Sequence, residues 1–584
     1  MSEKKSFDLN LLGRVLGIAR PYKHIFFTCI VLAIILAPVS TIGPYIIARM
    51  VDDHITKFDL EGLKFLAMIY AGVVVVNVVL QYFFIYTSAF LGQLVIKTMR
   101  MRVFNHITSM KLSFLDKTPI GTSTTRTIND IESINNVFTQ GVITMVADIL
   151  TIFAVIGVMF YTSWKLTLIS LATLPFLMIA SYIFKEKVKS SYQVVRTKIS
   201  TMNAFLQERI SGMNVVQIFN AEEQERAKFE EINSDYKKAW IDSIFYYAVF
   251  FPVVELISAL TLALMVWIGA RGYFDGSVSL GALIAFPLFI NLLFRPIRMI
   301  ADKFNTLQMG LVAADRVFRL LDNNDIITNT GDYTTDKIDG EIEFANVNFS
   351  YDGENQILHD VSFKVHKGES LGIVGSTGSG KTTIINLLNR FYEVHEGSIN
   401  IDGVNLRKYD LDFLRNRISL VLQDVFLFYG TVADNIRLMD ENISLEKIID
   451  ASKKLGAHKF IMKLPGGYDY MVTERGGNLS VGQRQLISFV RALVFDPDIL
   501  ILDEATSSID TETEAIIQYA IEKLIEKRTS IIIAHRLTTI KNTDNILVMN
   551  KGRVAEFGPH QELLGIKDGL YKELYQLQFA ELVS

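Results

Sequence analysis

The stretch Gly375-Ser376-Thr377-Gly378-Ser379-Gly380-Lys381-Thr382 lies between an apolar run, Leu371 to Val374, and a segment in which Ile384, Leu387, Leu388 and Phe391 recur at helical spacing. A glycine-rich loop joining a buried strand to a helix is built for phosphate. The glycines let backbone N–H groups turn toward an anion, and the helix N-terminus adds positive potential. In that setting Lys381 reaches the β- and γ-phosphates, Thr382 and the neighbouring Thr383 close the loop, and the Thr382 hydroxyl serves Mg²⁺. A chance turn would not carry the whole pattern in strand–loop–helix order. The stretch implies a nucleoside triphosphate.

Farther along, Asp498 leads into Ile499-Leu500-Ile501-Leu502-Asp503-Glu504, an apolar strand that ends in two acids. Such a strand delivers Asp503 to the metal beside a phosphate loop and leaves Glu504 to polarise an attacking water. Two acids that merely cap a helix are the plainer alternative, and the phosphate loop argues against it.

The whole chain sets the context. It has 584 residues, half of them hydrophobic and only 21% charged, which is too apolar for an ordinary soluble enzyme and implies a membrane portion. Its mean hydropathy of +0.29 agrees. A net charge of −4 gives no global pull toward nucleic acid. The single cysteine, Cys29, excludes an intrachain disulfide and reads as a small hydrophobe. Charges interrupt Met1 to Lys23, so no cleavable signal peptide is expected.

Leu9, Leu11, Leu12, Val15, Leu16 and Ile18 alternate with Asp8, Arg14 and Arg20, the pattern of an amphipathic helix lying on a membrane surface. Six apolar stretches follow, roughly Ile25–Ile47, Leu66–Phe90, Val142–Tyr161, Leu166–Phe184, Ile244–Gly269 and Leu280–Leu293. Most hold about 20 residues, enough to cross a hydrocarbon core of about 30 Å. Pro287 and Pro296 make the last the weakest signal. Lys97, Arg100 and Arg102, then Lys185, Lys187 and Lys189, then Arg295, Arg298 and Lys303 crowd the connections after the even-numbered stretches. By the positive-inside rule the N-terminus and everything after the sixth stretch are cytoplasmic, in a plasma or inner cell membrane.

The connections after the second and fourth stretches keep helical periodicity with few breakers. A helix from Leu63 to Ser109 would run more than about 60 Å, so the spans project far beyond the bilayer. Each long connection breaks once, around Ser113-Phe114-Leu115 and around Gly212 to Phe219. Apolar residues at such tips predict short docking helices rather than solvated turns. Two acids interrupt the spans, Asp148 and Glu255. A carboxylate at mid-bilayer costs about 2.5–3.5 kcal/mol on insertion scales and so faces a cavity or a partner. Both are candidates for a pathway that takes a cationic or protonatable substrate; a structural hydrogen bond is the alternative for each. Aromatics such as Phe245, Tyr246, Phe250 and Phe286 either line a greasy cavity or pack against helices and lipid.

Composition changes after Leu321, and the expected division is a membrane domain over 1–321, a polar linker over 322–340, and an α/β ATPase core over 341–584.

From Gly372 to His535 the chain resembles the ATPase domain of ABC transporters, with every expected motif in order. Tyr351 matches the aromatic that stacks on adenine. Gln423 matches the glutamine that contacts Mg²⁺ and water. Leu479-Ser480-Val481-Gly482-Gln483 matches the signature, Asp510 the dimer-interface loop, and His535 the switch histidine at the γ-phosphate. Six spans fused ahead of one such domain look like an exporter of the multidrug and lipid-flippase type. The breaks near Phe114 and Phe219 fall where that family places coupling helices, and Glu474 matches an acidic loop that meets them.

The resemblance implies an ATP-driven half-transporter that pairs with a second half, identical or not, because Ser480, Gly482 and Gln483 complete the partner's ATP site. It also implies lipid and a hydrophobic or amphipathic substrate as partners, and no nucleic acid. Where the family has glycine this chain has Val481, which disfavours positive φ. That departure favours a heterodimer slightly, since some heterodimeric exporters pair a complete Walker B glutamate with a varied signature, and it leaves a homodimer open. An ATP-gated channel and a peptide exporter are the competing functions. Intact Glu504 and His535 weigh against the first. The lack of a catalytic Cys–His domain ahead of the spans weighs against the second.

Overall fold

The computed structural model describes residues 9–504, 511–534 and 540–583. It falls into two compact units: Met1–Thr108 with Ile120–Asn324, and Ser109–Pro119 with Asp325–Ser584.

The first unit is helical. After α1 (Leu9–Gly17), six helices long and apolar enough to cross a membrane cover Arg20–Ile55, Leu60–Thr108, Ile120–Thr162, Trp164–Ser211, Glu222–Phe274 and Leu280–Leu321. Counted with the short helices Leu112–Lys117 and Met213–Ile218 between them, these are α2 to α9 in chain order. At about 1.5 Å per residue each long helix exceeds the hydrocarbon thickness. The helix that opens with the sixth apolar stretch, Leu280–Leu293, runs on to Leu321 with Pro287 and Pro296 inside it.

Where the long helices turn, short polar side chains cap the next one. Ser163, in an extended conformation, opens the helix after it, and Ser279 Oγ accepts from Ala282 N at 3.1 Å at the start of α9. There α2 and α9 approach closely: Gly281 N donates to Asp52 Oδ1 at 2.7 Å, and a Cβ on Gly281 would lie 2.1 Å from the Ala48 carbonyl oxygen. Only glycine fits.

Among the described residues, ion pairs join helices more than 150 residues apart in sequence at three places. Lys303 on α9 bonds Asp148 on α5. Arg316 on α9 grips the buried Asp130 through two bonds, of 2.6 and 3.0 Å. Arg14 on α1 holds Asp322 at 2.8 and 2.9 Å, with its guanidinium 4.2 Å from the centre of the Phe318 ring. Val15 of α1 is buried, as is Ile18 just beyond its end, while Leu11, Leu12 and Leu16 stay partly accessible.

Besides the short antiparallel pair β7 (Gly430–Thr431) and β8 (Met471–Val472), the second unit carries two larger sheets. Strands β1 (Ile342–Ser350), β2 (Gln356–Val365), β4 (Glu396–Ile401) and β5 (Val404–Asn405) form an antiparallel sheet in the order β2-β1-β4-β5. Strands β3 (Ser370–Gly375), β6 (Ile418–Val421), β9 (Ile499–Glu504), β10 (Thr529–Ala534), β11 (Asn545–Asn550) and β12 (Arg553–Gly558) form the other, ordered β12-β11-β3-β10-β9-β6. It is parallel except for β12. Its inner strands β3, β9, β10 and β11 are buried on both faces, so they read as continuous apolar runs rather than alternations. On β9, Ile499 and Ile501 enter one core with the helix α10 (Lys381–Leu388), while Leu500 and Leu502 enter the other with α11 (Val481–Val494).

The expected linker is less loose than its composition suggests. From Asp325 it belongs to the second unit, with Tyr333 N donating to Lys408 O at 2.9 Å and Ile338 buried.

Candidate nucleotide site

Strand order explains why the distant motifs meet. β3 ends at Gly375, and its neighbour β10 runs in register with it, Ile533 beside Ile373. β9 runs beside β10, with Asp503 opposite Ile533 and Glu504 opposite Ala534. The carboxyl ends of three parallel strands thus bring the glycine loop, Asp503 and the backbone of Glu504 to one edge, where ligands bind in open α/β sheets. The Glu504 side chain, Asp510 and His535 lie outside the described residues. Gln423 lies two residues beyond the end of β6, next to β9 in the sheet, and is exposed.

The loop is shaped by two glycines. Gly375 has φ +152° and a Cβ there would lie 2.2 Å from the Met549 carbonyl oxygen; Gly380 has φ +104° and heads α10. Ser376, Thr377 and Gly378 are exposed at the tip. Lys381 Nζ reaches back across the loop to the carbonyls of Gly375 and Ser376 at 2.8 and 3.0 Å. Burial pushes its pKa down, and the nearby Asp503 carboxylate works against that shift.

Ser379 is 1% exposed and its Oγ has no hydrogen-bond partner among the described residues. A buried hydroxyl without a partner, beside a buried ammonium at a helix N-terminus, fits a phosphate. Thr382 is exposed and Thr383 buried. The Thr383 hydroxyl accepts from Tyr351 Oη at 3.1 Å, and Asn386 Nδ2 donates to the same Tyr351 oxygen at 3.2 Å. Tyr351 is thereby fixed to the helix that follows the phosphate loop.

The signature stands elsewhere in the unit, at the start of α11. Ser480 and Gln483 form a capping box: Gln483 N donates to Ser480 Oγ at 3.2 Å, and Ser480 N to Gln483 Oε1 at 3.0 Å. Gly482 is buried, whereas Ser480 and Val481 are exposed. Val481 is the first helical residue and is absent from the positive-φ positions, so its backbone is ordinary.

Arg491, farther along α11, gave no sequence signal. It bonds the Asn435 and Phe426 carbonyls, which ties down the segment after Gln423, and burial pushes its pKa down to about 10. Asn386, Tyr392 and Asp116 were likewise missed.

Comparison with known proteins adds to this geometry. Residues 26–297 match the model of the ABC transporter transmembrane region, and residues 358–507 match the ABC transporter model. The chain is 39% identical over its whole length to the uncharacterized ABC transporter ATP-binding protein YknV of Bacillus subtilis, covering 96% of that protein. The chain belongs to the ABC transporter family.

Two further ABC transporter relatives carry more specific names. One is a probable multidrug resistance ATP-binding/permease protein, YheH of B. subtilis, 37% identical over 91% of this chain and 80% of its own. The other is an ATP-dependent lipid A-core flippase of Syntrophus aciditrophicus, 34% identical over 98% and 95%. As an ABC transporter the chain is a multi-pass membrane protein that binds ATP and couples an ATPase to transport. It has the half-transporter architecture of one membrane region and one ATPase.

The two acids of the spans stand differently. Asp148 is already paired with Lys303, whereas Glu255 is exposed on α8 beside the buried Val254. The tips also differ. α4 (Leu112–Lys117) belongs to the ATPase unit, with Ile327 N bonded to Ser109 O at 2.7 Å and Ser113 Oγ to Asp325 at 3.3 Å. α7 (Met213–Ile218) belongs to the helical unit, with Ile218 and Phe219 exposed, and Glu474 is exposed as well.

Proposed function

We propose that the chain is one half of a dimeric exporter that uses ATP to move a hydrophobic or amphipathic substrate across, or between the leaflets of, a cell membrane. The observation that carries this is a phosphate-binding loop with a buried unpartnered Ser379 hydroxyl, in a chain whose other unit has six helices long enough to span. The names of two relatives, a probable multidrug resistance ATP-binding/permease protein and an ATP-dependent lipid A-core flippase, support the substrate class. Neither the channel nor the peptide exporter has comparable support.

In this reading Tyr351 holds the base, and Ser376 to Thr383 with Lys381 hold the phosphates. Thr382, Gln423 and Asp503 would hold Mg²⁺, whose charge helps neutralise the transferring phosphoryl group. Glu504 orients or deprotonates the attacking water, and His535 holds the γ-phosphate. The γ-phosphoryl passes from ATP to water, leaving ADP and phosphate.

Ser480, Gly482, Gln483 and Asp510 serve the facing subunit's site. That subunit is read as another copy of this chain, because the helical backbone at Val481 requires no glycine there. The charge pattern of the connections supports a cytoplasmic N-terminus and ATPase unit. Glu255 offers a carboxylate to a cationic substrate. Asp148 contributes to the pathway through its pair with Lys303.

The test is Mg²⁺-dependent ATPase of the purified chain in lipid nanodiscs against a panel of cationic dyes, lipids and peptides. Stimulation by dyes or lipids and loss of at least about a hundredfold in Glu504→Gln are expected. An ATPase that no dye or lipid alters, or that survives Glu504→Gln, would sink the proposal.

A further inference from the structure

Tyr392 follows α10 by four residues, in a segment whose backbone is pinned. Arg390, buried, bonds the Tyr409 carbonyl at 3.0 Å, Thr330 Oγ1 at 3.2 Å and Glu393 at 2.9 Å. The Tyr392 ring borders a cavity of about 210 Å³ whose lining includes Lys111, Ser113, Asp325, Tyr351 and His395. Phe349 meets the ring edge to face, with centroids 5.9 Å apart and planes at 74°. A hydrogen bond fixes its hydroxyl end: Tyr392 Oη donates to the Asp116 carboxylate, Oδ2, on α4, and a charged acceptor strengthens such a bond. Burial, and then that bond, push the Tyr392 phenol well above its ordinary pKa, so it remains the donor.

The oriented ring then meets Tyr351 edge to face, with centroids 4.8 Å apart and planes at 87°. Phe349 meets Tyr351 at 4.9 Å and 87° from another side. Tyr351 is therefore held at its hydroxyl by Thr383 and Asn386, and at its ring by two aromatic neighbours. Of the two, Tyr392 depends on a residue made far earlier in the chain. All of these residues lie in the second unit.

We propose that Asp116 and Tyr392 are positioning residues for the nucleotide base. They fix the ring of Tyr351, so that affinity for ATP depends on where α4 sits. Because binding free energies are reciprocal, occupancy by the base must bias the position of α4 by the same factor. This rests on reading Tyr351 as the residue that stacks on the base.

The experiment uses the full chain in nanodiscs. Tyr392→Phe, which keeps the ring and removes the donor, and Asp116→Ala are each expected to raise the KM for ATP about three- to tenfold with little change in kcat. Asp116→Asn keeps an acceptor oxygen and should stay close to wild type. Tyr392→Phe combined with Asp116→Ala should be no worse than the worse single variant, because both remove one bond. Inhibition by inorganic tripolyphosphate, which fills the phosphate loop without a base, should not move.

A Tyr392→Phe enzyme with wild-type KM overturns the relay. So do single effects that multiply in the double variant, or tripolyphosphate inhibition that weakens along with ATP. Tyr351→Ala distinguishes the two readings. If it leaves KM unchanged, base stacking by Tyr351 fails and the relay fails with it. If it raises KM while Tyr392→Phe does not, only the relay fails.

Discussion

At the residue scale, Glu255 is the sharpest question. An exposed carboxyl halfway along an apolar helix pays for its place only if something polar meets it, since insertion costs about 2.5–3.5 kcal/mol. Asp148 illustrates the other solution, a cation on a neighbouring helix. Glu255→Gln is therefore expected to cut transport of a cationic dye by about tenfold or more while leaving a neutral lipid substrate within about twofold, measured in inverted vesicles. Equal transport of the dye would assign Glu255 to structure. Val481 poses the opposite kind of question, in which a departure from a pattern has a local answer. As the first residue of α11 it takes an ordinary helical backbone, and the capping box of Ser480 and Gln483 forms around it. Valine is tolerated there because nothing in the local geometry asks for positive φ.

At the element scale, α9 is a tie rod whose bonds differ in weight. The pair Arg14–Asp322 is about half exposed on both sides, so water already screens it. Arg14→Ala should cost less than about 1 kcal/mol. Arg316 reaches Asp130, whose side chain is only 6% exposed. Arg316→Ala strands a buried carboxylate and should cost about 1–3 kcal/mol. Chemical denaturation of the detergent-solubilised chain would order the two variants; equal midpoints would refute the argument from burial. The same helix marks a limit of reading from sequence. Pro287 and Pro296 make its apolar stretch look short and interrupted, yet the helix runs through both. Local propensity is a weak prior when neighbours pack along the whole length.

At the scale of the whole molecule, the question is what closes the nucleotide site. If the facing subunit is a second copy, the chain expressed alone should purify at twice its 66.0 kDa and hydrolyse ATP without another protein. An inactive preparation revived by a co-expressed half-transporter would reverse that assignment; light scattering with an ATPase assay distinguishes them. The phosphate loop, the acids of β9 and the spans were legible because each is written in consecutive residues: a glycine pattern, an apolar run, a period. Asp116 and Tyr392 stand 276 residues apart, Arg14 and Asp322 308 apart, and Asp130 and Arg316 186 apart. Spacing along one chain carries no information about such pairs, and they are what holds Tyr351, α1 and α9 in place. That α4 docks was legible in the apolar residues at its tip, whereas the residues it bonds, Asp325, Ile327 and Tyr392, were not.

That membership has a consequence for the order in which the protein is made. Ser109–Pro119 emerges from the ribosome roughly 200 residues before the chain it folds with, and its bonds to Asp325, Ile327 and Tyr392 wait until those residues have been synthesised. The ATPase unit is thus discontinuous. A polypeptide starting at Asp325 lacks the acceptor for Tyr392 and the backbone that pairs with Ile327, and a membrane unit ending at Asn324 lacks the residues that make those bonds to α4. Translation must pass Tyr392 before all of these bonds can form, so a chain cut between Asp325 and Tyr392 leaves a defect more than two hundred residues upstream of the cut.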